Sequence, residues 1–285
     1  MTHAPISLTA TALMSTLLGC LAGRVASAQA ATVTFDAGNE GWIGPEGPGG
    51  TTGILPTGGN PGANMRTVFN NFGITFFNST NPDFKGDLTG SSSVTVSIDI
   101  KVENLAFFGS QVSRPWVVEF RDYDNAPPGY GWKSAWYLFG PISLANSPNW
   151  RTVSVTFDPR AAALPAGWGG YGAETPSGEP ILPPNTTFRD VMAGVDALVF
   201  TTLQPGFFFG FTDFTMRLDN ISITRAPAQV PGDVNGDGAV NALDIAALLS
   251  AWGPCPPKGD CAADLDGNGE VAAPDVATLL SNWTG

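Results

Sequence analysis

Between Val94 and Glu103 the chain alternates strictly: Val94, Val96, Ile98, Ile100 and Val102 are apolar, and Thr95, Ser97, Asp99, Lys101 and Glu103 between them are polar. Successive side chains of an extended chain point to opposite faces, so this pattern predicts a strand with one buried face. The same reading predicts strands at Val33–Phe35, Trp116–Phe120, Ser134–Phe139, Val153–Phe157, Leu198–Thr202 and Phe211–Ile223. Turn signals such as Ala126-Pro127-Pro128-Gly129 and Pro205-Gly206 separate them. One short helix is predicted where Thr187 and Asp190 form a capping box ahead of Val191 and Met192. Many short strands and one helix imply a mainly β fold, a jelly-roll-like antiparallel β-sandwich over residues 29–224.

The pattern changes after a proline-bearing linker, residues 225–231. Residues 232–285 contain a repeat with a period of 31 residues: DVNGDGAVNALDIAALLSAW from Asp233 to Trp252, then DLDGNGEVAAPDVATLLSNW from Asp264 to Trp283. Ile245, Leu248, Leu249 and Trp252, and then Val276, Leu279, Leu280 and Trp283, recur at helical spacing. Each unit is therefore a loop followed by an amphipathic helix, and the two helices are expected to pack on each other. The loops carry oxygen side chains at positions 1, 3, 5 and 12, a glycine at 6 for the sharp turn, and a backbone carbonyl at 7. That set wraps a hard cation in the oxygen shell Ca²⁺ prefers. The candidate ligands are Asp233, Asn235, Asp237, Ala239 through its carbonyl, and Asp244, and then Asp264, Asp266, Asn268, Glu270 through its carbonyl, and Asp275. Two Ca²⁺ ions are expected.

Composition sharpens this picture. The 35 Gly and 24 Pro match a turn-rich sandwich. A net charge of -12 argues against nucleic acid as a partner. Lys258 is the only basic residue after Ala228, against eight acids, so the cation-binding potential is concentrated in the repeat. Residues 1–28 read as an export signal, with an apolar stretch from Ile6 to Leu21 and a small-residue cleavage pattern at Ala26-Ser27-Ala28. The segment is too short and interrupted to persist as a transmembrane span. Leu17-Leu18-Gly19-Cys20 offers a second reading, lipidation at Cys20, although no Lys or Arg opens the segment. Both readings place the product outside the cytoplasm, secreted or at the cell surface.

The only histidine, His3, lies in that signal, so the mature chain has no imidazole for a Ser-His-Asp or Cys-His mechanism. Its two cysteines, Cys255 and Cys261, either form a disulfide, which an oxidising compartment favours, or remain free thiols.

The duplicated loop and helix resembles the type I dockerin family, small calcium-binding domains at the ends of secreted bacterial polysaccharide-degrading proteins. The resemblance implies a cohesin-like protein partner. Type I dockerins usually present small hydroxyl residues at loop positions 10 and 11, where this chain has Ala242 and Leu243, and Ala273 and Pro274. The body resembles carbohydrate-binding-module-like and laminin domain IV-like sandwiches in FDAGNEGW (Phe35–Trp42), GGNPGA (Gly58–Ala63), NPDFKGDLTG (Asn81–Gly90) and RLDNISI (Arg217–Ile223). This resemblance implies a polysaccharide or extracellular-matrix glycan as ligand and makes Asp36 and Asp219 candidates for a structural Ca²⁺.

Stacking aromatics would carry glycan binding. The candidates are Tyr130, Trp132 and Trp136, of which the two tryptophans share strand parity, and Trp168 and Tyr171, expected to be exposed in the glycine-rich loop GWGGYG. Glu119 and Arg121 share a strand face, either to orient hydroxyls or as an ion pair. The expected function is a secreted, non-catalytic calcium-binding protein with a glycan-binding sandwich and a docking tail. The alternative is a glycoside hydrolase or polysaccharide lyase using a carboxylate pair in the sandwich; Glu119, Asp122 and Asp124 are close in sequence, but alternation puts Glu119 opposite the other two.

Overall fold

A computed structural model of the chain describes residues 28–228, 230–257 and 261–284. The expected export signal and its Cys20 alternative lie, Ala28 apart, outside the described residues. The chain divides into two compact units, one ending at residue 228 and one beginning at Val230.

In the first unit the elements in chain order are β1 (Gln29–Val33), β2 (Trp42–Ile43), β3 (Gly50–Leu55), β4 (Asn64–Asn71), β5 (Thr75–Asn78), β6 (Ser91–Phe107), β7 (Ser110–Gln111), β8 (Arg114–Asp122), β9 (Lys133–Ile142), β10 (Arg151–Phe157), β11 (Trp168–Tyr171), β12 (Ala173–Glu174), β13 (Pro180–Ile181), α1 (Phe188–Ala193), β14 (Ala197–Thr201) and β15 (Thr212–Pro227). One sheet runs β10-β6-β15-β4-β3, with β1 on β15 and β7 on β6. A second runs β11-β9-β8-β14-β5-β2, and β12 pairs with β13 in a small two-stranded sheet. Every pairing is antiparallel. The expected mainly β, antiparallel sandwich is the observed architecture.

The strict alternation of β6 reports its environment directly. Val94, Val96, Ile98, Ile100 and Val102 are buried, and they join Phe76, Trp116, Val118, Phe120, Leu198 and Phe200 of the other sheet in one core. Trp116 stacks on Phe200 at 6.0 Å, and Trp42 meets Phe84 at 5.5 Å and Phe200 at 5.7 Å. Phe200 thus supports two indoles at once. Phe200→Ala should lower the stability of the sandwich by about 3 to 5 kcal/mol, the usual range for emptying an aromatic core site, read as a shift in the urea midpoint of intact protein.

Most strand ends shift by a few residues from expectation, and three differences have a physical reason that matters. The first strand ends at Val33 rather than Phe35, because Phe35 takes a positive φ of 61° that turns the chain and carries its ring into the core. The last strand runs on to Pro227, inside the stretch expected as linker, because Arg225, Ala226 and Pro227 continue the pairing with β6. The glycine-rich GWGGYG segment is largely strand β11 rather than loop.

The second unit contains α2 (Ala242–Ser250), β16 (Gly253–Pro254), β17 (Glu270–Val271) and α3 (Ala273–Ser281). Val240, Leu248, Ala263, Val271 and Leu279 form its core, and α2 touches α3 as expected. The apolar stripes are only partly used, however: Leu248 and Leu279 are buried, whereas Leu249, Trp252, Leu280 and Trp283 are exposed. Cys255 and Cys261 form a disulfide, and both pack against this core.

The halves of the repeat fasten each other. Gly253, which follows α2, pairs with Val271 of the second loop. Thr284, at the equivalent place after α3, donates its backbone N–H to the Val240 carbonyl of the first loop at 3.0 Å and accepts the Val240 N–H on its hydroxyl at 2.8 Å.

Candidate functional site

The tail loops are built on their carboxylates. Asp233 accepts the backbone N–H groups of Gly236, Asp237 and Gly238 at 2.7 to 3.0 Å, and Asp264 repeats this with Gly267, Asn268 and Gly269 at 2.8 to 3.1 Å. Gly238 and Gly269 sit at φ of 91° and 90°, the left-handed turn that position 6 demands. Asp244 closes the first loop, accepting from Val234, Asn235 and Asn241, and Asp275 does the same from Leu265, Asp266 and Ala272.

Each of these two aspartates is also the third residue of the following helix, so one carboxylate ties loop to helix. The Ala272 amide, with those of Leu265 and Asp266, holds the Asp275 carboxyl below the ordinary range against the opposing effect of burial. Carboxylate oxygens of Asp233, Asp237 and Asp244 lie within 4.8 Å of one another, as do those of Asp264, Asp266 and Asp275. Three anionic oxygens so close, on loops with the right turns, fit a hard divalent cation.

Strand register defines a second candidate site. Trp116, Val118 and Phe120 of β8 face the core, so Val117, Glu119 and Arg121 face away from it. Glu119 lies opposite Trp136 and Val199, and Arg121 opposite Ser134 and Ala197. Tyr171 lies opposite Ser134, and Gly169 opposite Trp136. The outward face of the six-stranded sheet therefore gathers Trp132, Ser134 and Trp136 from the β9 edge, Glu119 and Arg121 from β8, and Tyr171 from β11.

Glu119 is only 3% exposed, and a carboxylate so buried must be met by donors. Its Oε2 accepts from Arg121 Nε at 2.9 Å and Nη2 at 2.7 Å, and its Oε1 accepts from Trp132 Nε1 at 2.9 Å and Ser134 Oγ at 2.6 Å. The Arg121 guanidinium lies 3.9 Å from the centre of the Trp132 ring, a cation–π contact. Trp132 in turn meets Tyr171 at 5.5 Å and Tyr123 at 6.4 Å, and Tyr171 meets Tyr130 at 5.3 Å. Partial burial, then the neighbouring Glu174 carboxylate, raise the Tyr130 phenol above its usual range.

Trp136 lies differently. A Cβ on Gly169 would fall 2.1 Å from its ring, so the indole rests flat on the glycine of the neighbouring strand, with its Nε1 donating to the Gly170 carbonyl at 3.2 Å. Trp136 is half-buried, which leaves the ring face turned from the sheet accessible.

Four of the five candidate aromatics, Tyr130, Trp132, Trp136 and Tyr171, gather on or beside this face. Trp168 does not: it packs into the core against Phe157 at 4.8 Å, Phe188 at 5.0 Å and Phe120 at 5.8 Å, because its parity in β11 is opposite to that of Tyr171. Glu119 and Arg121 are an ion pair within one strand. Sequence reading missed Ser134, Tyr123, Glu174 and Gly169; the shared parity of 132, 134 and 136 was the available signal for the first.

Asp122, on the opposite side of β8, pairs with Lys133 at 2.9 Å, so Glu119 and Asp122 do not converge as a carboxylate pair. Asp36 accepts from the Ala63 amide and Thr34, and Asp219 accepts from the Asn60 and Asn220 amides, so both carboxylates hold the 59–63 loop. Burial pushes the Asp219 carboxyl up, with Asp99 and Asp36 adding to the rise.

Among solved structures the chain is similar to a family 11 carbohydrate-binding module from Clostridium thermocellum in complex with a beta-1,3-1,4-mixed-linked tetrasaccharide, at 17% identity over 70% of this chain and 98% of that one, with a TM-score of 0.39. It is also similar to the family 11 module of a cellulosomal cellulase of the same organism, at 15% identity over 70% and 95% with a TM-score of 0.42. A family 30 module of another of its cellulosomal cellulases matches at 13% identity over 68% and 93%, with a TM-score of 0.36. Comparison with curated proteins gives no match. Residues 231–282 match the dockerin type I domain, whose stretch takes in both carboxylate loops and both helices of the repeat. The chain thus carries a C-terminal dockerin type I domain, preceded by an antiparallel β-sandwich.

Proposed function

We propose that this protein is an exported, non-catalytic polysaccharide-binding component that docks to a cohesin-bearing scaffold or surface through a tail holding two Ca²⁺ ions. The observation that carries the glycan reading is the outward face of the six-stranded sheet. It presents an indole seated flat on Gly169, beside a fixed cluster of Trp132, Tyr171 and Tyr130, with hydroxyl and carboxylate groups between them. Sugar rings offer apolar faces to such planes and hydroxyls to such polar groups. Glu119 cancels the charge of Arg121, and Glu174 adds a second carboxylate, so the face suits neutral glycans rather than uronates or sulfated chains.

In the tail, Asp233, Asn235, Asp237, the Ala239 carbonyl and Asp244 hold one ion, and Asp264, Asp266, Asn268, the Glu270 carbonyl and Asp275 hold the other. Bound calcium supplies positive charge that offsets the crowded carboxylates. Leu243, Leu249, Trp252, Leu280 and Trp283 are exposed on this unit and give the docking surface an apolar character in place of the usual hydroxyl pairs. No helix among the described residues is long and apolar enough to cross a membrane.

The test is calorimetry of intact protein against neutral and uronate-containing soluble polysaccharides, with reducing ends assayed in the same samples. Binding to a neutral glycan without release of reducing ends supports the reading, and turnover overturns it. Gly169→Val is a sharp probe of the platform. A branched side chain cannot share the space under Trp136, so glycan affinity should fall at least about tenfold, a loss of about 1.4 kcal/mol.

A further inference from the structure

The sandwich carries a second aromatic cluster that neither the core nor the glycan face uses. Phe72, after β4, packs on Phe208 at 4.9 Å and Phe211 at 4.1 Å in the segment joining β14 to β15. Phe107 lies against Gly210 of that segment and meets Phe108 at 4.6 Å. Three loops therefore bring phenylalanines together, and the outermost are extremely accessible: Phe108 is 90% exposed, Phe208 78% and Phe207 61%. A contiguous patch of this kind marks an interaction surface. The loop is held in place from below. Arg114, 7% exposed, lays its guanidinium 4.7 Å from the centre of the half-buried Phe209 ring and donates to the Thr212 hydroxyl at 2.6 Å.

The chemistry of the patch selects its partner. No charged residue occurs from Leu203 to Thr212 or from Leu105 to Ser113, so burying the tips strips water from no ion. Phe72 is inclined at 41° to Phe208 and 48° to Phe211, and Phe107 at 67° to Phe108, so packed neighbours in the cluster do not share the plane that a stacked row of sugar rings would use. A fluid apolar layer needs no coplanarity. The sandwich, with 17 acidic against 11 basic residues between Gln29 and Pro227, opposes approach to an anionic surface, whereas the uncharged loops suit a neutral one. We infer that Phe108, Phe207 and Phe208 insert reversibly into the apolar layer of a neutral lipid surface, holding the protein at an interface independently of its glycan face and tail.

Co-flotation of intact protein with vesicles of pure phosphatidylcholine tests this. The wild type should float, and the double variant Phe108→Ser/Phe208→Ser should lose at least about tenfold in partitioning, as expected for two phenyl groups withdrawn from an apolar phase. An unchanged urea midpoint establishes that the variant is folded, and replacing a third of the lipid by phosphatidylglycerol should weaken wild-type binding. Absence of flotation, or equal flotation of the two proteins, overturns the assignment. So does sedimentation showing a wild-type dimer that the double variant lacks, which would make a second copy of the chain the occupant of the patch.

Discussion

Chelating calcium from the intact protein will melt residues 230–284 and leave the sandwich folded. Among the described residues five buried apolar side chains, Val240, Leu248, Ala263, Val271 and Leu279, form the tail core, with partly buried neighbours and the disulfide packed on it, a small core to set against the entropy of ordering the unit. Against that small core stand two triads of carboxylates within 4.8 Å, and Asp244 and Asp275 are wholly buried. A ligand present at a hundredfold its dissociation constant adds about 2.7 kcal/mol per site, so two ions supply several kcal/mol where little else is available. The helical circular dichroism of α2 and α3 should therefore vanish in chelator and return on adding calcium, with two ions bound per chain. Asp233→Ala and Asp264→Ala should each abolish one ion and weaken the other through the shared core. An unchanged spectrum in chelator would defeat the calcium reading of both loops.

The second large effect separates two tryptophans that the sequence presents as alike. Trp136→Ala removes an indole whose accessible face has no part in the core, so retention on a neutral polysaccharide should fall at least tenfold, about 1.4 kcal/mol, with the unfolding midpoint nearly unchanged. Trp168→Ala empties a site among Phe120, Phe157 and Phe188, so it should lose about 3 kcal/mol of stability while the surviving folded fraction still binds glycan. Affinity electrophoresis paired with urea unfolding reads both. Equal glycan retention by Trp136→Ala and wild type would remove the platform from the site.

The same pair shows where residue order alone stops being informative. Four glycines and two aromatics in GWGGYG suggest a loop, yet the segment is largely a strand in which Gly169 is required by the cross-strand Trp136. That dependence is invisible until the register is known. β6 was legible because every second residue is apolar and one face is buried. β4 was not: Asn64 and Thr67 are as buried as Met65 and Phe69, so polar residues occupy interior places and the binary pattern dissolves. In the tail, helical spacing correctly announced α2 and α3 and the oxygen spacing announced the loops. The stripe is wider than the one helix that covers it, however, so Leu248 is interior while its neighbour Leu249 is not.

The cross-fastening of the repeat, Gly253 to Val271 and Thr284 to Val240, makes each half the natural complement of the other. A half-repeat from another molecule presents the same complement. When the tail reopens at high protein concentration, halves can therefore re-form between chains as well as within one, yielding exchanged dimers with every native contact intact. The short disulfide-closed span from Cys255 to Cys261 opposes this by keeping the two halves of one chain close, so the bridge guards the identity of the partner as much as the stability of the fold.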